Sequence, residues 1–159
     1  MPSKLQAEIK KKGPFASPEQ EVVLNLARTN DQVSIRLERL IREHGLTGSQ
    51  YNVLRILRGE GRPLPMSEIA GRTVQVLPGI TGLVDRLEAA GLVLRERSAE
   101  DRRVIFVAIT CKGQEALARL DGPMPALEKQ LLGGLTPGEQ AELVRLLEKV
   151  RTHMERVDG

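Results

Sequence analysis

Aromatic residues are almost missing from this 159-residue chain: Phe15, Tyr51 and Phe106 are the whole set, and there is no tryptophan. Capture of single-stranded nucleic acid by base stacking needs several exposed aromatic platforms, so that class is disfavoured. The core has to be made of Leu, Val, Ile and Ala, which suits helix packing. Cysteine occurs once, at Cys111, so no internal disulfide can form, which fits a reducing compartment. The two histidines, His44 and His153, lie far apart with no cysteine or carboxylate cluster at ligand spacing, so no structural zinc is expected. There is no paired set of catalytic carboxylates, no nucleophile beside a base and no phosphate-cradling glycine loop. The expectation is a protein that is not an enzyme and needs no cofactor. No run approaches the ~18 apolar residues of a membrane span, and the first fifteen residues lack a secretory apolar core. A cytoplasmic protein with no membrane partner is expected.

What the chain does contain is ordinary apolar content, 40%, and 28% charged residues with a formal net charge of +3. One domain with appended helices suits this length. The small net charge hides local concentrations: Lys4, Lys10, Lys11 and Lys12 near the N-terminus, and Arg95, Arg97, Arg102 and Arg103 further on, with Glu96, Glu100 and Asp101 among them. Residues 1–16 read as a basic arm, either a short helix or a flexible tail, broken at Gly13-Pro14.

Helix starts are clearly marked. Ser17-Pro18-Glu19-Gln20 offers a cap, a proline at the first helical position and a glutamine to complete a capping box. Apolar residues then recur at Val22, Val23, Leu26, Ala27, Val33, Leu37, Leu40 and Ile41, with no interruption before Gly45. This predicts a helix of ~26 residues, ~40 Å long at 1.5 Å per residue, which is longer than a small domain needs for its own core. Thr47-Gly48-Ser49-Gln50 and Thr136-Pro137-Gly138-Glu139 repeat the capping signature. The last helix carries an apolar stripe at Leu143, Leu147, Val150 and Met154. Residues 17–45 and 111–157 are accordingly assigned as dimerisation helices around a central region, 46–110.

The centre of the chain is Leu64 to Thr110. A short helical pattern, Met66 to Ala70, leads through a turn to a stronger one, Pro78 to Ala90, whose Ile80, Leu83, Val84, Leu87 and Ala90 share a face. Gly91 stops it. Two alternating strands, Leu92 to Arg97 and Arg103 to Ile109, flank the charged turn 98–102. Leu64-Pro65 can pair beside them as a third strand. Helix, turn, helix and hairpin in this order are the parts of a winged helix-turn-helix: mainly α, with a small β-hairpin wing. Such a fold lays the second helix in the major groove, leading with its N-terminal residues. Arginine at a hairpin tip can enter a narrow minor groove, where the negative potential is strongest, and Asp101 can hold such a tip in shape by a salt bridge.

Three pieces, Gly82-Leu83-Val84-Asp85-Arg86-Leu87-Glu88, Gly91-Leu92-Val93 and Asp101-Arg102-Arg103, make the run from Leu46 to Gly113 closely resemble the MarR family of bacterial transcriptional regulators. The resemblance implies a homodimer built from the first, fifth and sixth helices, binding a pseudo-palindromic operator in double-stranded DNA, as a repressor. It implies that Asp101 braces the wing, that Arg103 is the inserted arginine and that Arg102 lies at the phosphates. The recognition helix would be 78–90 and the wing 97–103, so the DNA-facing set is Thr73, Gln75, Pro78, Gly79, Thr81, Gly82, Arg86, Arg97, Asp101, Arg102 and Arg103. One departure stands out. Family members often carry Ser, Thr or Arg at the front of the recognition helix, where this chain has Leu77-Pro78-Gly79-Ile80-Thr81-Gly82. Direct base readout is then left to Thr73, Gln75 and Thr81.

Many members of the family release DNA on binding a small aromatic or anionic effector, and others respond to cysteine oxidation. His44 and Tyr51, at the joint of the first two long helices, can line an effector pocket or simply pack there. Cys111 reads as a quiet core residue, with redox sensing as the alternative. A winged-helix module that binds protein and not DNA is the other alternative; it has no need of Arg102 and Arg103 at the tip.

Overall fold

The computed structural model describes residues 1–77 and 79–159; Pro78, expected to open the recognition helix, lies outside the described residues. The chain divides into two compact units, Met1–Leu120 and Asp121–Gly159.

The first unit opens with a short helix, α1 (Lys4–Glu8), so the basic arm starts as helix, with Leu5 buried. The long helix α2 (Pro18–Glu43) has 26 residues. Ser17 Oγ accepts from the Gln20 N–H at 3.2 Å, but the Gln20 side chain accepts from Ala16 N–H at 2.7 Å. The expected box is therefore displaced by one residue at its return arm. Helix α3 (Gly48–Glu60) has the complete reciprocal box between Thr47 and Gln50. Its Val53, Leu54, Ile56 and Leu57 are buried and form the floor of the unit.

A two-residue strand, β1 (Leu64–Pro65), precedes α4 (Met66–Gly71), α5 (Ile80–Ala89), β2 (Val93–Arg97), β3 (Ile105–Ile109) and α6 (Cys111–Ala118). The sheet is antiparallel in the order β1-β3-β2. Leu64 pairs with Val107 and Pro65 with Phe106. Leu64-Pro65 is thus the third strand, and Pro65, with no N–H to give, sits where a strand needs none, at the edge. Strand β2 pairs from Val93↔Ile109 to Arg97↔Ile105. Both strands begin one or two residues inside the expected limits, and α5 is likewise shorter than 78–90.

The core gathers Val53, Leu54 and Leu57 of α3, Leu64, Ile69 of α4, Leu83, Val84 and Leu87 of α5, Val93, Val107, and Leu117 and Leu120 of the α6 region, all nearly inaccessible. Each such side chain contributes roughly 1.5–3 kcal/mol by leaving water. Helix α3 touches α6, β3, α4 and α5, so it is the element on which the reader is assembled. Helix α6 begins at the Thr110 cap and approaches the Leu92 backbone, where Gly113 is buried. Its apolar stripe falls on Gly113, Ala116 and Leu117. Cys111 is consequently exposed, not the core residue expected from its place on a helix.

The second unit comprises α7 (Pro123–Leu131) and α8 (Pro137–Asp158). Pro123 and Pro125 do not break α7: they fall in its first turn, where N–H groups have no helical partner. Helix α8 starts on a full capping box between Thr136 and Glu139. It has 22 residues and buries none of them. Leu143, Val144, Leu146, Val150, Met154 and Val157 are exposed.

Candidate nucleic-acid interface

The reader is built on α5. Leu83, Val84 and Leu87 face the core and fix the helix in rotation, which leaves Thr81, Asp85 and Arg86 exposed. Gly79 precedes the helix at φ 71°, a left-handed conformation that a side chain disfavours and glycine adopts freely. At the other end Gly91, φ 75°, donates to the Glu88 carbonyl at 2.9 Å while Leu92 N–H reaches the Leu87 carbonyl at 2.9 Å. That is the paired-bond Schellman stop, and it turns the chain directly into β2. Gly82 is small enough that a Cβ there would lie 3.6 Å from Arg86 Nη1, so the Arg86 side chain runs forward along the helix toward its leading end.

The turn before α5 is shaped by Thr73. Its hydroxyl lies 3.1 Å from the Ala70 carbonyl and 2.6 Å from the Gln75 carbonyl. Thr73, expected as a base reader, is therefore engaged in holding the turn. Gln75 is exposed, with Val74 and Val76 on either side of it. The Thr81 hydroxyl sits 3.8 Å from Met66 Sδ.

Below the wing lies a constellation the sequence did not reveal. Arg95 of β2 points at α5. Its Nη1 is 2.5 Å from Asp85 Oδ1, its Nη2 3.0 Å from Glu88 Oε1, and its backbone N–H donates to Glu88 Oε2 at 3.0 Å. The Arg95 guanidinium, and then its backbone N–H, hold the Glu88 carboxyl below the usual carboxylate range. A group depressed in this way contributes above its ordinary pKa and loses its contribution only as pH falls through the lowered value, so the clamp is intact at neutral pH. Arg95 looked like one of the cations available to DNA. It is instead part-buried and spent on α5, and it ties the helix and the hairpin into one piece. The signal in the sequence was there: Asp85 and Glu88 are three apart and share a helix face.

The tip is ordered from within. Ser98 Oγ accepts from the backbone N–H groups of Glu100 and Asp101 at 3.2 and 3.3 Å. Ser98 N–H reaches the Val104 carbonyl at 3.0 Å, and Val104 N–H the Asp101 carbonyl at 2.9 Å. Asp101 Oδ1 accepts from Arg103 N–H at 3.0 Å and from its Nε at 3.2 Å. The backbone N–H of Arg103, and then its guanidinium, lower the Asp101 pKa. The Arg103 side chain is 91% exposed although its guanidinium is held by Asp101 through Nε and Nη2, so its charge is aimed and still accessible. Arg97 and Arg102 are exposed, with no ion pair among the described residues.

His44 and Tyr51 stand on either side of the α2–α3 joint. His44 caps α2, and its Nδ1 lies 2.8 Å from the Leu40 carbonyl. Tyr51 is half-buried in the first turns of α3. His44 thus has a local partner at the end of α2.

The MarR family model matches residues 44–104. The HTH-type transcriptional regulator YkoM of Bacillus subtilis is 32% identical over 148 residues, covering 90% of this chain and 95% of the relative. The chain belongs to the MarR family. It is a transcription regulator, not an enzyme. A second relative, the HTH-type transcriptional repressor IacR of Pseudomonas putida, is 33% identical over 130 residues, 82% of this chain and 77% of the relative. Among solved structures, BpsR of Bordetella bronchiseptica, whose DNA binding is regulated by 6-hydroxynicotinic acid, superposes with a TM-score of 0.76 at 27% identity, over 87% of this chain and 98% of that one. The MarR architecture accounts for the order of elements described above. Among the described residues no helix is long and apolar enough to cross a membrane, and no group of three or more metal-ligating side chains is present.

Proposed function

We propose that two copies of this chain bind a pseudo-palindromic operator in double-stranded DNA and repress transcription there, with a small aromatic or anionic effector releasing them. The observation that carries the reading is the Arg95 clamp, which makes α5 and the wing a single rigid reader. A free hairpin would lose entropy on docking. A clamped one meets groove and backbone already placed. Dimerisation is supported by α8, a 22-residue helix with no buried residue and an apolar stripe open to solvent; helix α2 likewise exposes Val22, Val23, Leu26 and Ile35. Repression follows the sense of IacR, and control by a small effector follows BpsR, whose DNA binding is regulated by 6-hydroxynicotinic acid.

The test is selection of bound duplex from a random pool, followed by sedimentation of the complex. The expected product is an inverted repeat with half-sites about one helical turn apart, bound by two copies. A chain that sediments as a monomer on DNA, or a pool that stays random, would sink the proposal.

The clamp makes its own prediction. Arg95→Met keeps the apolar stem over α5 and removes the guanidinium. Operator affinity should fall on the order of tenfold, while the slope of log affinity against log salt stays unchanged, because no phosphate contact is lost. A flatter slope in Arg95→Met would instead show that Arg95 touches the DNA backbone.

A further inference from the structure

The turn between α4 and α5 carries two valines that the fold does not use. Val74 is 82% exposed and Val76 93% exposed, on either side of the exposed Gln75. They precede the leading end of the helix assigned to the major groove. The turn that holds them is not slack, because the Thr73 hydroxyl ties it to the Ala70 and Gln75 carbonyls. An ordered turn that holds two branched apolar side chains in water leaves apolar area to be covered by something. At this place in a helix-turn-helix the surface that arrives is the floor of the major groove. The apolar feature of that floor is the C5-methyl of thymine, which apolar side chains contact directly.

We propose that Val74 and Val76 are specificity-determining residues that read thymine methyl groups in each half-site. The proposal rests on the operator reading above and deepens it. It also answers the scarcity of polar readers in this chain. Thr73 is occupied in the turn, Gly79 and Gly82 have no side chain, and Thr81 lies against Met66. Readout by shape fit to methyl groups needs none of them.

The experiment uses the full-length protein and the duplex selected from a random pool. Thymines of one half-site are replaced singly by deoxyuridine, which keeps every hydrogen-bonding group and deletes only the methyl. Binding is followed by fluorescence anisotropy at fixed salt. One or two replacements should weaken the wild-type complex about fourfold each, from roughly 0.8 kcal/mol per buried methyl-sized group at 1.4 kcal/mol per tenfold. The double variant V74A/V76A should bind thymine and deoxyuridine duplexes alike and keep the wild-type salt slope. At their exposure, neither substitution touches the core, so the thermal midpoint and the sedimentation coefficient of the free protein should stay as in wild type.

Equal wild-type affinity for every deoxyuridine duplex overturns the proposal and leaves the operator reading standing. Undiminished discrimination by V74A/V76A does the same. A change in the oligomeric state of V74A/V76A also overturns it, by showing that the valines are covered by protein. Failure of the pool to yield any site overturns the operator reading and this proposal together.

Discussion

Gly113→Ala is expected to cost about 3 kcal/mol, the upper part of the range for forced overpacking, and to lower the thermal midpoint by roughly 10 °C for a chain of this size. A Cβ at this position would collide with the Leu92 carbonyl oxygen and lie 2.8 Å from Ile109 Cγ1. Flexible neighbours could give way, but a carbonyl cannot. Leu92 is the hinge between α5 and β2, and its oxygen already accepts the Thr110 N–H at 3.1 Å. Thr110 in turn caps α6 through Gly113 N–H at 3.0 Å and donates its hydroxyl to the Gly91 carbonyl at 2.7 Å. Pushing α6 away therefore disturbs the end of the recognition helix and the start of the wing together. Differential scanning calorimetry of the variant beside Gly138→Ala, where the added Cβ meets nothing within 4 Å, separates the steric effect from a general loss of glycine. A midpoint for Gly113→Ala within ~2 °C of wild type would refute the close approach.

The largest effect on DNA is expected from the double replacement Arg102→Ala with Arg103→Ala. Both side chains are exposed at the tip of the hairpin, so their removal should leave the fold and the proposed dimer untouched. The proposed dimer would lose four cations. If each neutralises one phosphate, the slope of log affinity against log salt becomes shallower by up to about 3.6, at about 0.9 per contact. The affinity should fall a hundredfold or more at about 0.15 M salt. Asp101→Ala is the informative companion. It keeps both arginines but frees Arg103 from the carboxylate that positions it. Affinity should drop less, and the salt slope should stay close to that of wild type. Gel-shift titrations at several salt concentrations distinguish these outcomes. Wild-type affinity in the double arginine variant would remove the wing from the DNA-facing set.

Much of this architecture was legible in the residues because it rests on local rules. A helix end is marked within four residues by its cap, so the limits of α2, α3 and α8 followed from Ser17-Pro18, Thr47 with Gln50 and Thr136 with Glu139. The helix-turn-helix followed from the 3.6-residue period of Leu83, Val84 and Leu87 and from Gly91. The Asp101–Arg103 pairing spans two residues, so it too was within reach of a local reading. Family membership was carried by these same short pieces.

What the local reading left open or missed lies where one element meets another. Leu64-Pro65, which could pair as a third strand, becomes one because Val107 and Phe106 present an open edge to it. Cys111 is exposed because α3 covers the other face of α6. The Thr73 hydroxyl ties down its own turn through the Ala70 and Gln75 carbonyls, contacts that only the folded turn shows.

The Arg95 clamp is the clearest case. A count of charges places four arginines in and beside the hairpin. Only the packing of β2 on α5 shows that one of them is consumed by Asp85 and Glu88. The sequence by itself determined the order of elements, the capped helix starts and the family, since periodicity and capping depend on neighbours a few residues away. The tertiary structure alone decided which charges and apolar groups remain open to DNA. An arginine's availability depends on the carboxylates packed beside it, and these come from a separate element.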